Sequence, residues 1–90
     1  MARSDWDDIE ATLRALLADT LGLAPSRIAA FTEQTELFGA LPEFDSMAVA
    51  TLLTGLEERL AILIEDDDVE AEDFASFGTL LAFVRRKTLV

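Results

Sequence analysis

The chain has 90 residues, 51% of them hydrophobic, and its 18 acidic and 7 basic residues give a formal net charge of −11. This length predicts one domain over residues 1–90, and the apolar content is too high for an intrinsically disordered protein. The excess of acids argues against nucleic-acid binding, which needs clustered lysine and arginine, and it predicts partners with basic surfaces.

The chain contains no cysteine and no histidine. Disulfides, thiolate nucleophiles and cysteine or histidine metal sites are therefore excluded, and the commonest general base is missing. We expect a protein that is not an enzyme. No signal sequence opens the chain, and no window approaches the roughly 18 apolar residues of a membrane span, so we expect a cytoplasmic monomer without membrane insertion.

The first predicted element is an amphipathic helix from about Asp5 to Leu21. Apolar residues recur in it at three- and four-residue steps, Ser4 is a suitable N-cap, and Gly22 suits the left-handed stop after a helix. From Leu23 to Asp45 this period is absent. We expect a long first loop there, with at most one short helical turn after Ser26.

The helical period returns at Ser46 and continues to about Leu60, which predicts a second long helix. An acidic run begins at Glu65 and indicates a turn, followed by one short helix that ends at about Asp73. Ser76 is the expected cap of a last long helix. The fold class expected from these elements is all-α, a four-helix bundle with three long helices, one short helix and a long first loop.

Ser46 stands at the junction of the long loop and the second long helix. Unpaired backbone N–H groups and the positive end of the helix dipole favour an anion at such a position, so a phosphodiester on the serine oxygen would be stabilised. The simpler interpretation is that Asp45 or Ser46 is an ordinary N-cap. A reciprocal capping box does not explain the pair, because Ala48 and Val49 occupy the positions where glutamate or glutamine would be needed.

Four segments together resemble acyl carrier proteins over nearly the whole chain: Thr35-Glu36-Leu37-Phe38, Asp45-Ser46-Met47, Leu56-Glu57-Glu58-Arg59-Leu60 and Phe74-Ala75-Ser76-Phe77-Gly78-Thr79-Leu80. The resemblance implies an acyl-carrier-like four-helix bundle in which Ser46 receives 4′-phosphopantetheine covalently from coenzyme A. A phosphopantetheinyl transferase that uses magnesium would perform this step. Asp45 and Met47 flank the attachment site, and the aspartate favours the acyl over the peptidyl branch of carriers.

By this resemblance the protein is a free-standing shuttle, which holds acyl groups as thioesters and presents them to enzymes of fatty-acid, polyketide or related lipid biosynthesis. Those enzymes are expected to offer basic or apolar docking patches. The candidate docking residues are Glu43, Met47, Val49, Ala50, Glu57 and Glu58. The candidate lining of an acyl cleft is Leu53, Leu56, Ile64, Phe74 and Leu80, although apolar residues at helical spacing are also what an ordinary core contains.

Several positions depart from the pattern of the resembled family. Met47 replaces the usual leucine, and Glu43 replaces a glycine. Ala48 and Thr51 stand where carriers of fatty-acid synthesis commonly place acids, which favours a dedicated pathway over general fatty-acid enzymes.

Three other functions are compatible with parts of the sequence. A small acidic helical interaction module without a cofactor would use its grooves to bind a partner helix. The acidic segment 65–73 could bind Ca²⁺ or Mg²⁺ loosely, but it lacks the glycine and the acid spacing of an EF-hand, so solvated charge is the better interpretation. A carboxylate hydrolase would need two acids across a pocket, whereas nearly all acids here fall on expected exposed faces.

Overall fold

The computed structural model describes residues 2–88, with the side chains of residues 2–7 and of residue 66 left undescribed. The described part is helical, as predicted, and contains three long helices. Its elements in chain order are α1 (Ala2–Leu21), α2 (Pro25–Ala29), α3 (Ser46–Leu60), two 3₁₀ turns (Asp66–Asp68 and Ala71–Phe74) and α4 (Phe77–Thr88).

Two local predictions differ from the structure. Helix α1 begins at Ala2, which places Ser4 inside the helix instead of at its N-cap. The short helix expected before Asp73 is divided into the two 3₁₀ turns. In each turn an aspartate carboxylate accepts a hydrogen bond from a backbone N–H three residues earlier. The Glu65 N–H donates to Asp68 at 3.0 Å, and the Glu70 N–H donates to Asp73 at 2.9 Å. Such local hydrogen bonds compete with a continuous helix.

The core is formed where the apolar faces of α1, α3 and α4 meet. Helices α1 and α3 approach closely because Gly55 lacks a side chain, and a Cβ there would lie 2.8 Å from Leu16 Cδ2. The side chains with less than 2% exposure are Leu13, Leu17, Ile28, Leu37, Leu52, Leu56, Phe77, Leu80, Phe83 and Val84. Members of this set come from all four α-helices and from the first long loop, so the loop is part of the core.

The first long loop is hydrogen-bonded to the segment between the second 3₁₀ turn and α4. The Leu37 N–H donates to Ala75 O and the Phe38 N–H to Phe74 O, each at 3.0 Å. Leu37 is itself fully buried. These contacts set the position of the loop relative to the start of α4.

Two more hydrogen bonds continue this pairing into α4. The Phe77 N–H donates to Thr35 O at 2.8 Å, and the Gly78 N–H donates to Glu33 O at 3.1 Å. A Cβ on Gly78 would lie 2.8 Å from that same Glu33 oxygen. The loop backbone therefore reaches α4 only because position 78 carries no side chain.

Arg14 joins α1 to the other side of the first loop. Its guanidinium donates to Ile28 O at 2.6 Å and to Phe31 O at 3.2 Å, it pairs with Glu10 at 2.8 Å, and it lies 4.4 Å from the ring centroid of Phe77. One side chain thus satisfies two carbonyls of the loop region while it covers an aromatic ring of the core.

The contacts of Arg14 predict a measurable loss of stability in Arg14→Met, which keeps much of the aliphatic stem but removes the donors. We expect the free energy of unfolding to fall by about 2 kcal/mol, because two part-buried carbonyls lose a charged partner. Urea denaturation measures the change. Arg59→Met is the control, since its pair with Asp19 at 3.2 Å is exposed and contributes at most about 1 kcal/mol. Equal losses in both variants would contradict the role given to Arg14.

Lys87 joins the end of α4 to the first 3₁₀ turn. Its ammonium lies 2.8 Å from Asp68 Oδ2. Two hydrogen bonds lower the pKa of the Asp68 carboxyl below its ordinary value. The larger effect comes from Lys87 and the smaller one from the Glu65 N–H. The pair therefore stabilises the fold while Asp68 is ionised.

This lowered pKa predicts a pH-dependent effect of Lys87→Met. Above the ordinary aspartate pKa of about 3.9 the variant should melt at a lower temperature than the wild type. The difference should shrink as the pH falls through the lowered pKa of folded Asp68, because protonation then removes the stabilisation from the wild type too. Thermal melts between neutral and acidic pH test this. Lys87→Arg keeps the charge and should retain the pH dependence, and a Lys87→Met deficit that does not change with pH would contradict the prediction.

Candidate functional site

Ser46 is the first residue of α3, and its hydroxyl is exposed. The N-cap is Asp45, whose Oδ1 accepts the Ala48 N–H at 2.9 Å. The Ser46 hydroxyl makes no hydrogen bond to a described residue. Ser76, before α4, differs because its Oγ accepts the Thr79 N–H at 3.2 Å. Capping therefore accounts for Asp45 and for Ser76 but leaves the Ser46 hydroxyl available.

The backbone at the start of α3 is suited to an anion. In the first turn the Ala48 and Val49 N–H groups are bonded, both to Asp45. The N–H groups of Ser46 and Met47 have no partner among the described residues. Unpaired donors and the positive end of the helix dipole favour a phosphate there. A phosphodiester on the Ser46 oxygen fits this position.

Three aromatic rings hold the chain that enters α3. Phe44 is buried, and its ring packs edge-to-face with Phe38 at 6.2 Å and with Phe74 at 6.0 Å between ring centroids. The three rings come from the first loop and from the second 3₁₀ turn. Because Phe44 is anchored immediately before Asp45, the position at which the chain turns into α3 is fixed.

An apolar cleft opens beside Ser46, with a volume of about 240 Å³. Its lining consists of Phe38, Ser46, Val49, Ala71 and Phe74. No titratable side chain is among them, so nothing in this lining could activate the serine as a nucleophile by removing its proton. The arrangement suits a covalent attachment point next to a cleft in which apolar atoms can be buried.

The predicted cleft residues are only partly found in this cleft. Phe74 lines it, whereas Leu56 and Leu80 are fully buried in the core. Leu53 and Ile64 are partly buried and pack against the core. The structure adds three residues to the cleft that the sequence prediction had not placed there: Phe38, Val49 and Ala71. Of these, Val49 could have been found from its position one helical turn after Ser46.

The apolar members of the predicted docking set lie at different depths. Met47 is 78% exposed, and Ala50 is also exposed, on the next turn of α3. Val49 is half-buried in the cleft. Met47 is therefore the most exposed large apolar side chain on the first turns of α3.

Two of the three acidic members of the predicted docking set interact with other groups of the protein. Glu43 lies 3.9 Å from Arg27, and Glu57 accepts the Ile64 N–H at 2.8 Å. Glu58 is exposed and makes no ion pair with a described residue.

The remaining predicted features concern metals and membranes. Within the side chains that the structure describes, no group of three acids lies in a position to hold a metal ion. None of the helices between residues 2 and 88 is both long enough and apolar enough to cross a bilayer.

Comparisons with known proteins relate this site to a family. The family model described as a phosphopantetheine attachment site matches residues 11–85. A solution NMR structure of a holo acyl carrier protein from Nitrosomonas europaea is similar, with a TM-score of 0.75 and 38% sequence identity, and the match covers 87% of this chain and 92% of that one. The search of curated proteins gave no match. The chain belongs to the acyl carrier protein family, as a carrier of covalently attached 4′-phosphopantetheine that is not itself an enzyme.

Proposed function

We propose that Ser46 is the attachment residue, and that the protein carries acyl groups on its phosphopantetheine arm to the enzymes of one biosynthetic pathway. The observation that carries this proposal is the exposed Ser46 hydroxyl, which makes no hydrogen bond to a described residue and lies at the start of α3 beside an apolar cleft. When bound, the arm supplies a thiol that holds the acyl group as a thioester.

Loading of Ser46 requires coenzyme A and a phosphopantetheinyl transferase. The Ser46 oxygen attacks the phosphorus that bears the pantetheine, the bond from this phosphorus to the adenosine bisphosphate breaks, and the transferase accepts the hydroxyl proton. The Ser46 and Met47 N–H groups, which have no partner among the described residues, are then placed to stabilise the phosphodiester. Asp45 keeps the first turn of α3 in place through its bond to Ala48.

The cleft can bury part of the acyl chain between its transfers to successive enzymes. Each methylene that leaves water gains about 0.8 kcal/mol, which is weak enough for a partner enzyme with a better site to withdraw the chain. We propose fatty-acid, polyketide or related lipid biosynthesis in the cytoplasm, with residues 1–90 as one carrier domain that acts as a monomer. A dedicated pathway is supported by Thr51, an exposed and uncharged residue on α3.

Intact-mass spectrometry tests the attachment residue directly. After incubation with coenzyme A, Mg²⁺ and a broad-specificity phosphopantetheinyl transferase, the wild type should gain the mass of one phosphopantetheine, and Ser46→Ala should gain none. Ser26→Ala is the matched control, since Ser26 is also exposed at the start of a helix, and it should load like the wild type. Loading of Ser46→Ala would contradict the assignment, and no loading of the wild type would favour the interaction module without a cofactor.

The cleft predicts a difference in stability between long and short acyl chains. Octanoyl-loaded protein should melt at a higher temperature than acetyl-loaded protein, because more methylenes leave water. Ala71→Phe fills the cleft from an exposed position and should reduce this difference. Ala82→Phe adds the same ring to an exposed position of α4 and should preserve it. An unchanged difference in Ala71→Phe would place the acyl chain elsewhere.

A further inference from the structure

Two cavities of the protein meet at Phe38. One is the acyl cleft of about 240 Å³ beside Ser46, and the other is a pocket of about 630 Å³ formed mainly by the first loop. Among the described residues, Phe38 lines both cavities and no other residue is common to the two. Phe38 is 47% exposed, whereas the other five phenylalanines are buried. It therefore forms a wall between the cleft and the pocket.

The position of Phe38 is fixed by a tight turn. The Ala40 N–H donates to the carbonyl three residues earlier at 3.1 Å, and Gly39 has a positive φ of 92°. This is the pattern of a type II turn with Phe38 as its first central residue, and such a turn favours glycine at the second central position. The Phe38 N–H bonds to Phe74 O at 3.0 Å, and its ring packs edge-to-face on Phe44. Both the backbone and the ring of Phe38 are thus held in place.

The two cavities differ in chemistry on either side of Phe38. The acyl cleft is lined by apolar side chains and by the Ser46 hydroxyl. The second pocket has two exposed carboxylates, Glu33 and Glu36, and the amide of Gln34 in its lining. An apolar chain that displaced water from these polar groups would leave them without partners, which costs free energy. An acyl chain in the cleft therefore gains nothing by extending past the ring of Phe38.

We propose that Phe38 limits the length of the acyl chain that this carrier can bury, and that the cargo matched to the cleft is an apolar chain of up to about eight carbons. The inference rests on the function proposed for Ser46. One methylene group fills roughly 30 Å³, about the share of one molecule in liquid water, so a cleft of about 240 Å³ has room for about eight of them. Carbons beyond that number stay in water.

Melting temperatures of a series of acyl-loaded proteins test this limit. A broad-specificity phosphopantetheinyl transferase loads the protein from acyl-coenzyme A donors, from acetyl to tetradecanoyl in two-carbon steps, and intact mass confirms each product. In the wild type the melting temperature should rise by about 3 °C for each step up to about eight carbons, because the added methylenes leave water. Each longer step should add less than about 1 °C, since its carbons remain hydrated.

Phe38→Ala should bury longer chains than the wild type does. Loss of the ring leaves a space beside Phe44 that an acyl chain can fill, as an apolar ligand fills the cavity of a large-to-small variant. The rise should then continue for about two further two-carbon steps. Each variant is compared with its own acetyl-loaded form. A merely structural role of Phe38 would lower all the melting temperatures of the variant and leave the length limit unchanged.

Leu63→Ala is the matched control, because Leu63 is a large apolar residue that is 69% exposed and lines neither cavity, and it should keep the wild-type limit. Circular dichroism confirms that each variant is folded, and Phe38→Val replaces Phe38→Ala if the latter is not. A wild-type melting temperature that rises evenly up to tetradecanoyl would overturn the proposal, and so would an unchanged limit in the folded Phe38 variant. If the wild type is not loaded at all, the function proposed for Ser46 fails too, and intact mass distinguishes that result from loading without a length limit.

Discussion

Backbone hydrogen bonds between the first loop and the start of α4 determine the path of the loop, the lining of the cleft and the entry of the chain into α3. The Leu37 and Phe38 N–H groups donate to Ala75 O and Phe74 O, and the Gly78 N–H donates to Glu33 O. These bonds bring Phe38 and Phe74 together in the lining of one cleft, although they lie far apart in the sequence. Without this pairing, the loop would have neither a fixed path nor a fixed point at which to enter α3.

The pairing also helps to explain how a small acidic protein holds an exposed serine at the start of a helix. The rings of Phe44 and Phe74 pack against each other and anchor the chain just before α3, where Ser46 is the exposed first residue. Most acids near it are engaged by other groups of the protein, as in the pair of Glu43 with Arg27. From Ser46 to Leu56 the sequence contains no charged residue, although the chain has a net charge of −11.

The three long helices could be predicted from the sequence, because each has apolar residues at a helical period that places them on one face. The junction of loop and helix at Ser46 was also predictable, since it is a local feature. The role of Ser46 was inferred from the resemblance to acyl carrier proteins and stays a prediction. The cleft was not predictable in the same way, because Phe38 and Ala71 reach it through the pairing of the loop with the segment before α4. Leu56 and Leu80 were expected in the cleft, but periodicity does not distinguish a cleft wall from a core. The short helix expected before Asp73 became two turns through side-chain hydrogen bonds.

Attachment of the arm to Ser46 can be observed in a phosphorus–proton correlation spectrum of the loaded protein in solution. One phosphodiester phosphorus should couple to the β-protons of Ser46. On loading, amide shifts should change mainly around the start of α3 and at Phe38, Ala71 and Phe74. Coupling of the phosphorus to another residue would rule out attachment at Ser46, and shift changes that leave the cleft unaffected would rule out the role proposed for the cleft.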